Sequence, residues 1–187
     1  VLKSSVGYSA KQVFPVQNGI NVFTGEPETI PKILEKLRSD TFVMKQKHSI
    51  IIEELVTDEF GFRIPLDYKF YMFGGKIAAV QVIDRPSKSL SDQSHFFYDE
   101  NFKPIPINIL PVRSSKDIFK KSLHFEQMKQ AAITLGEALN MFMRIDFYTT
   151  QHGFYFGEFT PTPEGGSGYS DEGDCYLGKF WKGEEGV

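Results

Sequence analysis

Cysteine is nearly absent from this chain of 187 residues, in which Cys175 is the single example. One thiol excludes an internal disulfide and a cysteine-rich zinc site, and it is typical of a reducing compartment. Long apolar runs are also missing: the run at 50–52 is far shorter than the ~18 residues of a membrane-spanning helix. Because no signal-peptide pattern is found either, we predict a cytoplasmic protein without a membrane partner.

Positive charge is scarce as well, because 21 lysine and arginine residues are outnumbered by 24 aspartate and glutamate residues. The formal net charge of −3 excludes a global positive field that could hold nucleic acid. The four histidines show no ligand spacing such as H-E-x-x-H, so no zinc site is predicted. The 41% hydrophobic content can fill a core, which excludes intrinsic disorder.

The first half of the chain mixes hairpin and helix signals, which is typical of an α+β fold. Residues 1–17 are predicted to form two strands joined by a turn of small residues. Pro31 in a first turn predicts a short helix with Ile33 and Leu37 on its apolar stripe. Residues 50–56 have the composition of a strand, and Gly74-Gly75 between two β-rich runs predicts a tight hairpin.

The second half contains the strongest helix signal of the sequence. Apolar residues from Phe125 to Phe142 recur at steps of three and four, and Ser122 is predicted to cap this helix. Residues 86–121 are polar and interrupted by proline, so we expect an irregular excursion. The acidic, glycine-rich segment 161–187 is likewise predicted to be an irregular tail.

A final hairpin is predicted from strands at 143–149 and 154–160. The intervening loop Gln151-His152-Gly153 has glycine where three-residue loops commonly need a left-handed residue. This loop predicts four cross-strand pairs: Thr150 with Phe154, Tyr148 with Phe156, Asp146 with Glu158, and Arg144 with Thr160. One face of the hairpin then carries polar side chains, while the other face packs on the core.

This register places two like charges, Asp146 and Glu158, opposite each other. Opposed Cβ atoms in an antiparallel pair are about 4.5–5.5 Å apart, so relieving the repulsion by Asp146→Asn should stabilise the metal-free protein by about 0.2–1 kcal/mol. Mg²⁺ or Mn²⁺ would neutralise the carboxylates, with Arg144 nearby to meet further anionic charge. The alternative is that both carboxylates are solvated and Arg144 forms a surface ion pair worth at most about 1 kcal/mol.

The motifs of this hairpin resemble the metal-binding end of ATP-grasp ligases. Residues 144–147 read R-I-D-F and residues 157–160 read G-E-F-T before a Pro-Gly turn, whereas the family pairs an R-x-D-F strand with an E-x-N strand. The D-Y-K-F-Y-M-F-G-G-K run at 67–76 is similar to the teichuronopeptide-biosynthesis type of ATP-grasp protein. The resemblance implies an α+β ATP-grasp fold whose two subdomains, 1–56 and 57–187, clamp the nucleotide. It also implies that an amino-terminal part of such ligases is missing here.

The family order implies three groups of site residues. The predicted catalytic residues, which would meet the phosphates and the transferred phosphoryl group, are Arg144, Lys103 and Arg85. The predicted nucleotide-binding residues are Lys3, Ser5, Gly7, Glu53, Glu54, Val56, Asp67 and Lys69. The predicted metal ligands are Asp146, Glu158 and Thr160, where threonine replaces the usual asparagine. Without the resemblance, Lys3 and Lys103 would be ordinary exposed lysines. Glu53 or Glu54 would form a structural salt bridge, and Asp67 would end a loop.

The activity implied by the resemblance is ATP-dependent formation of an amide through an acylphosphate, in peptide or cell-wall polymer biosynthesis. ATP and Mg²⁺ (or Mn²⁺) would be the cofactors, and small-molecule or peptide carboxylates and amines the substrates. No nucleic-acid partner is implied, and a homodimer is compatible with the family. Two alternatives stay open: a kinase on the same scaffold, and a noncatalytic module that binds carbohydrate or peptide.

Overall fold

A computed structural model describes residues 1–6, 12–40, 45, 49–62, 64–87, 89, 92–111, 118–183 and 186–187. The chain divides into two compact units, Val1–Thr57 with Arg85–Gln93 and Asp58–Asp84 with Ser94–Val187. Both sheets and helices occur, so the predicted α+β class is confirmed. The assignment of residues 1–56 and 57–187 to the two halves of a nucleotide clamp stays a prediction. No helix within the described ranges is long and apolar enough to cross a membrane.

Short strands form the sheet of the first unit. Strand β1 (Leu2–Ser4) pairs antiparallel with β2 (Val13–Phe14) on one side and with β5 (Ile50–Ile52) on the other. The predicted first hairpin is therefore confirmed, although its tip, including Gly7, lies outside the described residues. The second strand stops at Pro15, which has no N–H to donate to a ladder. Strand β3 (Val16–Gln17) pairs instead with β4 (Ile20–Asn21).

One helix of the first unit, α1 (Ile30–Ser39), begins as the sequence predicts. Thr29 is its N-cap, because the threonine side chain accepts a hydrogen bond from the backbone N–H of Lys32. Ile33 and Leu37 are buried and pack with Leu2 and Phe14. The apolar stripe of this helix therefore forms the small core of the unit.

The second unit is organised around a five-stranded antiparallel sheet with the order β10-β9-β6-β7-β8. Its strands are β6 (Asp67–Phe73), β7 (Lys76–Asp84), β8 (Ser94–Tyr98), β9 (Phe142–Thr150) and β10 (Gly153–Thr160). The predicted Gly74-Gly75 hairpin is confirmed, since it joins β6 to β7. The prediction of an irregular segment over 86–121 was wrong at β8, which pairs with β7 and buries Phe97 and Tyr98.

Helix α2 (Phe125–Leu139) covers one face of this sheet and buries Phe125, Met128 and Ala132 against it. The predicted cap is wrong: His124 occupies the N-cap position, while Ser122 accepts a hydrogen bond from the His124 backbone N–H at 2.9 Å. Asn140 adopts a left-handed conformation and ends the helix, so the predicted extension to Phe142 is also wrong.

The opposite face of the sheet is partly covered by helix α3 (Asp171–Gly178), where the sequence predicts an irregular tail. The Ser170 side chain accepts from the backbone N–H of Gly173, and Asp171, Glu172 and Asp174 occupy the first turn. Serine followed by acidic residues is a helix-start signal, because carboxylates are stabilised near a helix N-terminus. Leu177 anchors α3 in a cluster with Tyr71 and Phe73.

Gly136 of α2 lies against the turn between β6 and β7, since a Cβ there would lie 2.1 Å from the carbonyl oxygen of Gly74. We expect Gly136→Ala to lower the free energy of unfolding by about 2–3 kcal/mol, because backbone must move to relieve the overlap. Gly178→Ala in α3 is the matched control, as its Cβ would meet no other described part of the chain within 4 Å. Urea denaturation of both variants tests this, and equal stabilities would contradict the close packing.

Candidate active site

The final hairpin brings the predicted polar residues to one face. Strands β9 and β10 pair Asp146 with Glu158 and Arg144 with Thr160, which confirms both predicted pairs. Side chains alternate between the two faces along a strand, so Arg144 and Asp146 point the same way. Ile145 between them is fully buried in the core under α2. The polar face of the hairpin is therefore the face opposite that helix.

The turn of this hairpin differs from the prediction by one residue. Strand β10 begins at Gly153, which pairs with Thr150, so the loop holds two residues rather than three. The predicted pairs Thr150 with Phe154 and Tyr148 with Phe156 are therefore wrong. A β-bulge between Phe156 and Glu158 adds the missing residue and restores the predicted register beyond it. Gly157 suits the bulge, because a Cβ there would lie 2.9 Å from the Tyr148 ring.

Strand β6 lies next to β9 and adds further polar residues to the same face. Lys69 pairs with Asp146 in β9 and with Gln81 in β7, so a polar row crosses four strands from Gln81 to Glu158. Asp67 and Tyr71, two residues before and after Lys69, share this face by alternation. The site is therefore assembled from strands that are far apart in the sequence.

Asp146 is held by a cation on each side. Lys69 Nζ forms an ion pair with Asp146 Oδ2 and lies 3.0 Å from Asp67 Oδ2. Arg144 donates two hydrogen bonds to Asp146, from Nε to Oδ1 at 2.8 Å and from Nη2 to Oδ2 at 2.9 Å. These four side chains, which we call the buried network, are at most 9% exposed. Two cations and two carboxylates make the buried network neutral.

Two more carboxylates lie at the exposed rim of the buried network. Arg144 Nη2 is 3.5 Å from Glu158 Oε1 and Nη1 is 3.9 Å from Glu164 Oε1, with these glutamates 63% and 40% exposed. Thr160 Oγ1 accepts a hydrogen bond from Arg144 Nη2 at 3.0 Å. With the rim included, four carboxylates face two cations, which leaves an excess of two negative charges.

This charge excess and the oxygen donors fit a divalent cation such as Mg²⁺. The ligands are not pre-assembled, however, because the described part of the chain contains no group of three or more His, Cys, Asp or Glu side chains arranged to hold a metal. Both oxygens of Asp146 are engaged by Lys69 and Arg144 instead. The metal site of Asp146, Glu158 and Thr160 therefore stays a prediction.

A family model described as TupA-like ATPgrasp matches residues 1–182. The chain belongs to this ATP-grasp family. The predicted resemblance is thereby confirmed over almost the whole sequence, from the first strand to the end of α3. No match was found among curated proteins or among solved structures.

Electrostatics in this TupA-like ATP-grasp chain keep Arg144 charged. Burial lowers the pKa of its guanidinium, but the hydrogen bonds and charge of Asp146 outweigh burial and raise that pKa overall. Burial also raises the pKa of Tyr71 well above its ordinary value, and it raises the pKa of Tyr169 to about 12, with the charge of Glu164 adding to the effect. Both phenols are therefore neutral at physiological pH, and their rings meet edge to face at 6.4 Å.

The sequence prediction did not include these two tyrosines. Alternation along β6 is a signal that could have identified Tyr71, which lies two residues after Lys69. Tyr169 has no comparable signal, because it lies between the 3₁₀ turn Pro163–Gly166 and α3. Its position becomes evident from the ring contact with Tyr71.

Most of the remaining predicted site residues belong to the first unit, Lys103 belongs to the second, and Gly7 lies outside the described residues. Lys3 forms a 2.7 Å ion pair with Glu53, and Ser5 Oγ accepts from the Ser49 backbone N–H at 2.9 Å. Lys103 is exposed after β8, the strand at the opposite edge of the sheet from β10. Also in the first unit are Glu54, Val56 and Arg85. The roles of all these residues, and of Gly7, stay predictions.

Proposed function

We propose that this protein is an ATP-dependent carboxylate–amine ligase that forms an amide through an acylphosphate. Membership of the TupA-like ATP-grasp family supports the use of ATP. The observation that carries the proposal is the buried Arg144, held bidentately by Asp146 beside two rim carboxylates. An arginine fixed in this way is suited to an anionic phosphoryl group, whereas the carboxylates are suited to its metal ion.

The proposed reaction has two steps. An oxygen of the substrate carboxylate attacks the γ-phosphorus of ATP, the bond to the bridging oxygen breaks, and ADP leaves. The amine nitrogen then attacks the acyl carbon, inorganic phosphate leaves, and the nitrogen loses a proton to give the amide. Arg144 would stabilise the charge on the transferred phosphoryl group, because its guanidinium stays protonated and is oriented before substrate arrives.

Asp146 and Glu158 are the proposed ligands of Mg²⁺ or Mn²⁺, with the Thr160 hydroxyl as a third oxygen donor. Thr160 Oγ1 accepts one hydrogen bond from Arg144 and has a second lone pair available for a cation. A bound metal would supply neutralisation of phosphate charge and polarisation of the transferring group. Clamping of ATP by two subdomains, and the phosphate and nucleotide contacts of Lys3, Glu53, Lys103 and Arg85, belong to this proposal on the basis of the family order.

We also propose peptide or polymer precursors as the source of carboxylate and amine, as in the biosynthetic type of ATP-grasp protein that the sequence resembles. In the second step a nucleophile must attack the acyl carbon before phosphate can leave. The amine is therefore the substrate that distinguishes a ligase from a kinase. A kinase would transfer phosphate to a hydroxyl and produce ADP without any amine.

The test is release of ADP by the wild-type chain with Mg²⁺, ATP and a panel of carboxylates, each with and without amines. We expect ADP release over many turnovers only when both substrates are present, because without an amine the reaction stops at the acylphosphate, and we expect a higher melting temperature with ATP and Mg²⁺. Glu126→Gln on α2 should behave as wild type, because Glu126 forms an exposed ion pair with Lys121. Sustained ADP release with a hydroxyl compound in place of the carboxylate and without an amine would favour the kinase. No ADP release and no thermal shift at millimolar nucleotide would refute the proposal.

A further inference from the structure

Lys69 lies where a cation is needed between two buried carboxylates. Its Nζ is within ion-pair distance of Oδ2 of both Asp67 and Asp146, and all three side chains are 4% exposed or less. The predicted role of Lys69 was nucleotide binding. That role stays a prediction, and in the structure the ammonium group is directed at the proposed metal ligand Asp146. We propose that Lys69 is a positioning residue that acts as a built-in counter-ion and weakens binding of a free divalent cation to Asp146.

The charge balance carries this inference, which rests on the proposed function for the assignment of a metal to Asp146. With Lys69 present, the buried network is neutral, and a free cation is attracted mainly by the exposed Glu158 and Glu164. Charges in solvent interact weakly, whereas buried charges are poorly screened. Metal would therefore bind weakly on its own and well together with nucleotide phosphates, which bring their own negative charge.

A purely structural ion pair makes a different prediction. Replacing a buried salt-bridge lysine by an apolar side chain of similar length changes stability in either direction, but it gives no new response to metal. A built-in counter-ion leaves an uncompensated buried carboxylate when it is removed. Added metal should then replace the missing charge, so metal affinity is the measurement that separates the two roles.

The experiment measures binding of Mn²⁺ alone, without nucleotide, to the full chain by loss of the free Mn²⁺ signal in electron paramagnetic resonance. We expect Lys69→Met to bind Mn²⁺ at least about tenfold more tightly than wild type. Lys121→Met removes the same charge from an exposed ion pair on the surface, so it should bind like wild type. Lys69→Arg keeps the charge and should show no tightening.

The inference would be overturned if Lys69→Met bound Mn²⁺ no more tightly than the wild type and Lys121→Met do. If Lys69→Met folds only with Mn²⁺ present, the inference is supported. Lys69→Gln, which keeps hydrogen-bonding capacity without the charge, is the second variant and should also bind Mn²⁺ more tightly. If both variants stay unfolded with and without Mn²⁺, the inference is overturned, because a metal cannot then replace the ammonium.

The outcomes for this inference and for the ligase can be told apart. Mn²⁺ affinity is measured without ATP, whereas the ligase is tested by ADP release from the wild-type chain. If Lys69→Met binds Mn²⁺ more tightly but the wild type releases no ADP, the ligase proposal is refuted and the counter-ion role of Lys69 is supported. If the wild type releases ADP as expected but Lys69→Met binds Mn²⁺ like the wild type, the ligase proposal is supported and the counter-ion role is refuted.

Discussion

Asp146→Asn is expected to lower the free energy of unfolding by about 3 kcal/mol and to reduce ATP turnover by about 10²-fold or more. Asp146 accepts hydrogen bonds from Arg144 and is ion-paired with Lys69, and its side chain is 1% exposed. An asparagine would leave two buried cations with Asp67 as their remaining buried carboxylate. Loss of turnover follows because Asp146 is both the partner that orients Arg144 and a proposed metal ligand.

The sign of this stability change is opposite to the one expected from the sequence. Repulsion between Asp146 and Glu158 predicts that the variant would be more stable by about 0.2–1 kcal/mol. The structure reverses this, because Glu158 is 63% exposed while Asp146 is compensated by two buried cations. Urea denaturation without metal decides whether Asp146→Asn is more or less stable than the wild type, with Glu126→Gln as the control for loss of an exposed carboxylate. If Asp146→Asn were as stable as that control, the stabilising role of Asp146 in the buried network would be contradicted.

Arg144→Lys is expected to reduce kcat by about 10²–10³-fold while leaving the chain folded. Lysine keeps the positive charge but cannot form the two parallel hydrogen bonds to Asp146 together with the third to Thr160. The charge balance of the buried network is preserved, so the stability loss should be smaller than for Asp146→Asn. An arginine that stabilises the transferred phosphoryl group mainly affects kcat, whereas one that binds ground-state ATP mainly raises KM.

Steady-state kinetics of ADP release with saturating substrates measure this effect. Arg38→Lys is the matched control, since Arg38 is exposed in the last turn of α1 and should tolerate the change without loss of rate. If Arg144→Lys retained the kcat of wild type, the bidentate guanidinium would have no part in the phosphoryl transfer. A change confined to KM would assign Arg144 to substrate binding alone.

Elements with a local signal were predicted well. Thr29 and Pro31 define the start of α1, and Gly74-Gly75 defines the β6–β7 hairpin, because caps and tight turns depend on neighbouring residues. Strand β8 was missed, since a short aromatic segment becomes a strand by pairing with β7. The position of the bulge near Gly157 was missed because loop length alone does not decide where an extra residue is placed.

The sequence by itself determined that Arg144 and Asp146 share a face of the final hairpin, and it determined to which family the chain belongs. Alternation along β9 aligns Arg144 with Asp146, and the TupA-like ATP-grasp family model matches residues 1–182. Only the tertiary structure decided how Asp146 is neutralised, because its partner Lys69 is 77 residues away in the sequence. Burial and charge compensation depend on which strands become neighbours, and no local pattern in β9 or β10 contains that information.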